Sequence, residues 1–251
     1  LARVLRQYVE KKGGEFFTSE GIQAMKGKEG RVTHVQTAVR EIGADVVLMS
    51  LGVWPQVKLA RQAGLQIGET GAIWVNDRME TSAGDIYAAG DCTETTHLVT
   101  GKRTWVPLGS TANKQGRVVG TNVCGGSAFF PGVLGTAIFK TFDFNVAKTG
   151  LNMKEAEKEG FDPVQAIVRG YDRAHYYPGE KESTLKVIAD RGTGRILGGQ
   201  AMGEGPSDKF IDILAMALHG KMTCRDLASV DLAYAPPFSP ALSPVIVAAN
   251  V

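Results

Sequence analysis

The first residues of the chain have the pattern of an amphipathic helix. Leu1, Val4, Leu5 and Tyr8 recur three or four residues apart, and Gly13-Gly14 follows them. This spacing predicts a helix with one apolar face that ends at the two glycines. Because the chain opens on this helix and not on a methionine, we expect the sequence to be the later part of a longer protein.

Three stretches after this helix have strand character. They are EFFTS (15–19), RVTHVQTAV (31–39) and ADVVLMSLG (44–52), with a turn at 28–30 before the second. The VVLMS run is typical of a strand covered on both faces, so residues 1–52 are predicted to be the last part of an α/β domain. The GxGxxG spacing of a complete dinucleotide-binding unit does not occur in the chain.

The next region places a Gly-Asp pair at the end of a short apolar run. AIWV (72–75) predicts a strand, residues 81–84 a turn, and DIYAAGD (85–91) a strand that ends in Gly90-Asp91. Ligands of open parallel sheets bind beyond the carboxyl ends of strands, where Asp91 could accept hydrogen bonds from sugar or sugar-alcohol hydroxyls. Gly90 would let a ligand approach closely. The alternative is that Gly-Asp only forms a turn.

A helix is predicted in PLGSTANKQGRVVGTNVCGG (107–126). Ser110 or Thr111 can cap its start, and Gly116 and Gly120 would allow close packing on a sheet. A helix N-terminus carries a partial positive charge and free amide groups. It therefore suits an electron-rich group such as a reduced flavin, whose N1 and C2 carbonyl accumulate negative charge.

The last part of the chain, residues 129–251, has the element order of an α+β domain. Strands are predicted at 142–146, 183–190 and 195–203, a hairpin turn at 191–194, one helix from a capping box at Asn152 and Glu155 to Gly160, and another from Ser207 to Gly220. An antiparallel sheet with helices on one side follows from this order.

Composition narrows the class of protein. With 43% hydrophobic and 22% charged residues, the chain is neither disordered, collagen-like nor a coiled coil. Its 28 basic and 26 acidic residues are spread evenly, so we expect no nucleic-acid partner, and since it has no apolar run of bilayer length we expect no membrane partner. Cys92, Cys124 and Cys224 are read as core thiols in a reducing, cytoplasmic setting, and no cluster of cysteine and histidine predicts a metal.

TSAGDIYAAGDCTE (81–94) followed by the predicted helix resembles the second FAD-binding segment of the flavin-dependent pyridine nucleotide-disulfide oxidoreductases. The resemblance implies that Asp91 holds the ribitol chain, with Gly90 beside it. It also implies that the helix start faces the pyrimidine edge of the flavin, through Leu108, Gly109, Ser110, Thr111 and Ala112. Residues 1–52 would end an NAD-binding domain, 53–128 would belong to the FAD-binding domain, and 129–251 would form the domain that makes a homodimer.

Two loops, RAHYYPGE (173–180) and DLAYAPPFSPALSPV (231–245), resemble the branch of coenzyme A-disulfide reductases, NADH oxidases and persulfide reductases. The resemblance implies that Tyr176, with Tyr177 the neighbouring candidate, and Tyr234 reach the flavin and the redox-active cysteine of the other subunit as catalytic residues. Judged on the residues alone, both strings also fit aromatic packing in rigid turns. Asn113 lies where this branch places a substrate contact.

The expected function is that of part of a FAD-dependent NAD(P)H oxidoreductase. It would reduce a disulfide or persulfide, such as coenzyme A disulfide, through a cysteine outside this chain. Leu242-Ser243 stands where coenzyme A-disulfide reductases often carry Lys-Asp, which weakens the coenzyme A assignment. The alternatives are a water-forming NADH oxidase that uses oxygen and, for the segment alone, a non-catalytic dimerisation module.

Overall fold

A computed structural model of the protein describes residues 1–250. The chain divides into two compact units, Leu1–Trp54 and Pro55–Val251. Its helices are α1 (Ala2–Lys11), α2 (Lys58–Gln62), α3 (Gly109–Val123), α4 (Met153–Lys158), α5 (Ser207–His219), α6 (Cys224–Ala228) and α7 (Pro244–Ala249). Its strands are β1 (Ile22–Lys28), β2 (Arg31–Thr37), β3 (Glu41–Gly43), β4 (Thr95–Thr96), β5 (Arg103–Thr104), β6 (Ala137–Thr141), β7 (Phe144–Gly150), β8 (Pro163–Tyr171), β9 (Glu182–Asp190) and β10 (Ile196–Gly203). None of the helices in this part of the chain is long and apolar enough to span a membrane.

The first unit contains the predicted opening helix and a three-stranded antiparallel sheet. α1 ends just before Gly13, and β1, β2 and β3 pair in sequence order. The predicted turn before β2 is confirmed: Glu29 and Gly30 have φ of 53° and 78°, the left-handed conformation that suits a tight hairpin. The strand β1 was not predicted, because all of its residues are exposed and its sequence has no clear alternation.

Two predicted strands of this unit are wrong. Residues 15–19 form no strand; Phe17 instead lies under the guanidinium of Arg40, 4.2 Å from the ring centroid. Residues 44–52 also form no strand, and the side chains of Val46 and Leu48 are 85% and 89% exposed. An apolar run becomes a buried strand only when neighbouring strands pair with its backbone, and within residues 1–250 this run forms no ladder beyond the bond from the Ala44 amide to the Thr33 carbonyl of β2.

In the second unit, the predicted strands at 72–75 and 85–91 are extended segments with single bridges. Ile73 bridges Ile67 and Thr93, and Tyr87 bridges Glu80. Both predictions of regular strands are therefore wrong, since each segment crosses its neighbours too briefly to form a ladder. A small core holds these segments against α3, and it includes Val75, Met79, Val118, Phe130 and Val133.

The rest of this unit is a five-stranded antiparallel sheet in the order β6-β7-β10-β9-β8. Gly199 of β10 lies so close to Leu214 of α5 that a β-carbon would overlap that side chain, and Gly170 of β8 is equally close to Pro244 of α7. Strand register puts the two glycines on the same face, because Gly199 pairs with Val187 and Gly170 with Ser183. The predicted α+β arrangement, with helices on one side of the sheet, is confirmed.

Local signals in this region were partly right. The capping box is confirmed, with Asn152 Oδ1 accepting from the amide of Glu155 at 3.0 Å and Glu155 Oε2 accepting from the amide of Asn152 at 2.8 Å. Phe142, predicted inside a strand, lies in the turn between β6 and β7 with φ of 50°, so the strand starts at Phe144. Ser207 does not cap α5: it is the first helical residue, Pro206 takes the capping position, and the buried Ser207 hydroxyl has no hydrogen-bond partner.

Truncation of Leu214 should destabilise the chain strongly. Its side chain is 0% exposed at the centre of the α5–sheet contact, so Leu214→Ala is expected to lower the free energy of unfolding by about 2–5 kcal/mol. Met216, on the same helix, is 72% exposed, and Met216→Ala is expected to change it by no more than about 0.5 kcal/mol. Urea unfolding followed by circular dichroism measures both values; equal effects would contradict this packing.

Candidate functional site

The Gly-Asp pair lies against the start of α3. The amide of Gly90 donates to Oε1 of Gln115 at 2.7 Å, and a β-carbon on Gly90 would lie 3.6 Å from that of Ala112. This space is sufficient for a side chain, so the requirement for glycine comes from the φ of 86° at this position. The structure thus brings together two of the sequence elements that were predicted to share a ligand.

Asp91 projects from this turn with an exposed side chain. Its backbone is fixed, because the indole Nε1 of Trp105 donates to the Asp91 carbonyl at 2.7 Å and the amide of Ile73 donates to the Cys92 carbonyl at 2.8 Å. Within residues 1–250, no ion pair neutralises the Asp91 carboxylate. A carboxylate so placed can accept hydrogen bonds from a ligand.

The start of α3 has no side-chain cap. Leu108 takes the capping position in an extended conformation, so the prediction that Ser110 or Thr111 caps the helix is wrong. Both residues, with Gly109, lie in the first helical turn, whose amide groups have no partner within the helix. These amides can bind an electron-rich group.

The glycines of α3 do not pack closely on a sheet. Gly116 and Gly120 are exposed, and no atom of the described residues lies within 4 Å of a β-carbon added at either. The prediction of close packing is therefore wrong for this part of the chain. The face of α3 that is buried instead presents Thr111, Gln115, Val118 and Asn122.

A cavity of about 560 Å³ opens beside the first turn of α3. It is lined by Leu108, Ser110, Thr111, Lys114, residues 132–136 of the following loop, and Asp212, Met216 and His219 of α5, among others. The uncapped helix start therefore borders a space of the size in which small ligands bind.

A buried ion pair, which the sequence analysis missed, anchors the end of the loop that begins at Gly90. The Glu94 side chain is 1% exposed and accepts from Arg103 Nε at 2.9 Å and from Thr70 Oγ1 at 2.9 Å. Arg103 also donates to the Val75 carbonyl at 2.7 Å. The charge of Glu94 is thus fully paired, as a buried carboxylate requires. The signal was an acidic residue within the 81–94 motif, whose partners are distant in sequence.

The cysteines do not form a redox site within the described residues. All three are free thiols, and burial raises the pKa of both Cys92 and Cys224. A raised pKa lowers the fraction of reactive thiolate. Cys124 is exposed, so its prediction as a core residue is wrong. No group of three or more potential metal ligands was found among residues 1–250.

The two candidate tyrosines meet. Tyr176 lies between β8 and β9, Tyr234 lies after α6, and the two loops are joined by a hydrogen bond from the Ala174 amide to the Pro236 carbonyl at 3.1 Å. A side-chain hydrogen bond with Tyr234 raises the pKa of Tyr176. The two side chains are 76% and 53% exposed, which does not favour the alternative of aromatic packing.

Neighbouring residues stiffen the Tyr176 loop. Glu180 contacts Nδ1 of His175 at 2.8 Å, and the Lys181 amide donates to Asp172 at 2.8 Å. Burial acts to raise the pKa of Asp172, but hydrogen bonds from Arg173 and the Lys181 amide outweigh it, and the pKa falls below its usual value. The carboxylate therefore stays charged and holds both ends of the loop.

The remaining candidates are placed as follows. Asn113 is exposed on α3, and its Oδ1 accepts from Arg117 Nε at 3.2 Å. Tyr177 is less exposed than Tyr176, and its amide donates to the Ala174 carbonyl at 2.8 Å. In the described part of the chain, no hydrogen bond joins the tyrosine pair to Asp91.

Comparison with known proteins identifies the class. Residues 1–116 match the family described as "Pyridine nucleotide-disulphide oxidoreductase", and residues 136–245 match its "dimerisation domain". The chain belongs to this family, and its α/β and α+β parts are those of flavoprotein oxidoreductases, as predicted.

Within the family, several similar proteins are named for sulfur compounds, and others are named NADH oxidase. The "NAD(P)H sulfur oxidoreductase (CoA-dependent)" of Pyrococcus abyssi is 47% identical over 92% of this chain and 52% of its own length. A "Coenzyme A disulfide reductase" of Staphylococcus aureus is 32% identical over 88% of this chain and 49% of its own length. The structure of a "NAD-Dependent Persulfide Reductase from A. fulgidus" is 48% identical, with a TM-score of 0.95, over 99% of this chain and 46% of that one. The chain spans about half the length of these relatives.

The hydrogen bond between the tyrosines can be tested by titration. In Tyr234→Phe the pKa of Tyr176 is expected to fall toward the ordinary tyrosine value of about 10, because the bond that raises it is lost. Nuclear magnetic resonance of ring-labelled tyrosine resolves this titration from the others. Tyr171→Phe, on the adjacent strand, is the control and should leave the Tyr176 pKa unchanged; an equal shift in both variants would argue against the pair.

Proposed function

We propose that the chain is part of a FAD-dependent NAD(P)H oxidoreductase that reduces a disulfide or persulfide through a cysteine outside residues 1–251. The observation that carries this proposal is the Gly90–Asp91 turn held against the uncapped start of α3. Family membership and the names of the similar proteins support the same cofactors. Residues 1–52 are assigned to the NAD-binding domain, 53–128 to the FAD-binding domain and 129–251 to the domain that forms a homodimer.

The residues of the turn and the helix start fit a flavin. The exposed Asp91 carboxylate would accept hydrogen bonds from the ribitol hydroxyls, and the φ of Gly90 turns the backbone so that Asp91 is presented. The free amides of Gly109, Ser110 and Thr111, flanked by Leu108 and Ala112 in the first turn of α3, would stabilise negative charge on the pyrimidine edge. When bound, flavin supplies the chemistry that takes hydride from the nicotinamide and passes electrons to a disulfide.

Tyr176 and Tyr234 would act as hydrogen-bond donors to the departing thiolate of the substrate. The bond with Tyr234 raises the pKa of Tyr176, so the Tyr176 hydroxyl keeps its proton at neutral pH and stays a donor. A thiolate has a conjugate-acid pKa of about 8.5, and a phenol positioned against it can donate a hydrogen bond as charge develops on sulfur. The match to the dimerisation domain supports placing this pair in the active site of the other subunit.

The acceptor is proposed to be a sulfur compound and not oxygen. Relatives named for sulfur or persulfide reduction are 47% identical to this chain, whereas those named NADH oxidase are 36% and 29% identical. Asn113 is the proposed substrate contact. Leu242-Ser243, in place of Lys-Asp, weakens the coenzyme A assignment, whereas the relatives at 47% identity carry coenzyme A in their names, so the acceptor is proposed as a disulfide or persulfide.

Removal of the Asp91 carboxylate should weaken flavin binding. In the intact enzyme that contains this chain, Asp91→Ala is expected to raise the dissociation constant for FAD about 10–100-fold, because charge-assisted hydrogen bonds are lost. Fluorescence of released flavin measures this constant. Asp45→Ala, which removes an exposed carboxylate from the other unit, should leave it unchanged. A colourless wild-type enzyme would refute the flavin assignment itself.

Loss of the Tyr176 hydroxyl should slow the reductive step. Tyr176→Phe is expected to lower kcat by about 10²-fold with disulfide or persulfide as acceptor, because the hydrogen-bond donor to the developing thiolate is gone. Consumption of NADH with each acceptor, and with oxygen alone, separates the sulfur reductase from the NADH oxidase. Tyr171→Phe serves as the control. Faster turnover with oxygen than with any sulfur acceptor in the wild type would favour the oxidase.

A further inference from the structure

Gln115 is a polar side chain buried where the two halves of the proposed flavin site meet. It lies in the second turn of α3 and is 1% exposed. Its Oε1 accepts from the Gly90 amide at 2.7 Å and from the Thr93 hydroxyl at 3.3 Å. One side-chain oxygen of the helix therefore receives hydrogen bonds from both ends of the Gly90–Thr93 turn.

That turn is itself closed by short hydrogen bonds. The Thr93 amide donates to the Gly90 carbonyl at 3.0 Å, and the single Thr93 hydroxyl proton is shared between that carbonyl at 2.9 Å and Gln115 Oε1 at 3.3 Å. The turn therefore behaves as a compact unit that carries Asp91 at its second position. The position of the turn relative to α3 depends on the Gln115 contacts. The hydrogen bond from Trp105 to the Asp91 carbonyl also holds the turn in place.

We propose that Gln115 is a positioning residue that sets the distance between Asp91 and the first turn of α3. This inference rests on the proposed function, in which Asp91 and the helix start bind two parts of one flavin. A single ligand bound at two points requires these points to be fixed relative to each other before it binds. Gln115 makes that link directly and does not contact the cavity beside the helix start.

The link depends on the acceptor oxygen and not on side-chain volume. Without it, the part-buried Gly90 amide would lose its partner, and the turn would move to find another one. The apolar contacts of Val118 and Phe130 beneath α3 would remain, so the fold would persist while the turn shifted.

The test compares two variants of Gln115 in the intact enzyme. Gln115→Met keeps the volume and removes the acceptor, and it is expected to raise the dissociation constant for FAD at least about tenfold. Gln115→Glu keeps an oxygen acceptor at the same place and should recover most of this loss at a pH where the introduced carboxyl is protonated, because an unpaired carboxylate is costly at this buried position. Gln165→Met, on the exposed face of β8, is the matched control and should bind FAD as the wild type does.

The readouts separate positioning from folding. Fluorescence titration gives the FAD dissociation constant, the visible spectrum of bound flavin reports its surroundings, and thermal unfolding of the flavin-free protein reports the fold. A spectral shift in Gln115→Met that Gln115→Glu reverses supports positioning. FAD binding in Gln115→Met equal to the wild type, or no recovery in a folded Gln115→Glu, would overturn the proposal.

A second variant covers the case in which Gln115→Met does not fold. Thr93→Val preserves shape and removes only the hydroxyl contacts, so it is expected to weaken FAD binding by about threefold. Unchanged binding in a folded Thr93→Val would then overturn the proposal. A wild-type enzyme without flavin would refute the proposed function together with this inference, whereas flavin binding that is insensitive to these variants would refute the inference alone.

Discussion

The hydrogen bond between the Gly90 amide and the buried Gln115 side chain is the constraint on which the candidate site depends. It joins a turn with a left-handed backbone to the helix whose free N-terminus it faces. The Glu94–Arg103 ion pair fixes the far end of the same loop. Hydrogen bonds thus hold this polar turn in place. Leaving these polar groups unpaired would cost more free energy than the loss of conformational entropy when the turn is ordered.

The helices α1, α3, α4 and α5, two turns and the fold class could be predicted from sequence signals, whereas the short helices α2, α6 and α7 were not predicted. The capping box at Asn152 and the hairpin before β2 depend on a few neighbouring residues, and both are present. The predicted order of strands and helices in residues 129–251 also gave the correct layers. The caps at Ser110 and Ser207 failed for a local reason: each hydroxyl lies inside the first turn, two positions and one position, respectively, after the true capping residue.

What could not be predicted involves partners that are distant in sequence. Whether an apolar run becomes a strand depends on a neighbouring strand, and within residues 1–250 the runs at 44–52, 72–75 and 85–91 have only isolated bridges or none. No spacing in the sequence marks Glu94 and Arg103 as an ion pair, because the fold brings the two side chains together. The tyrosine pair was reached through family resemblance; only the structure shows that the two loops are joined through Ala174 and Pro236.

The uncovered apolar run at residues 44–54 has a practical consequence for anyone who handles this chain in isolation. The apolar side chains of Val46, Leu48 and Trp54 are exposed to water. Among the described residues, the backbone beside them is not part of a strand and forms no sheet hydrogen bonds. Such a segment promotes nonspecific aggregation as the protein concentration rises. The apparent molecular mass of the purified chain would then increase with concentration. Its size would have to be measured over a dilution series before it could be attributed to a specific dimer.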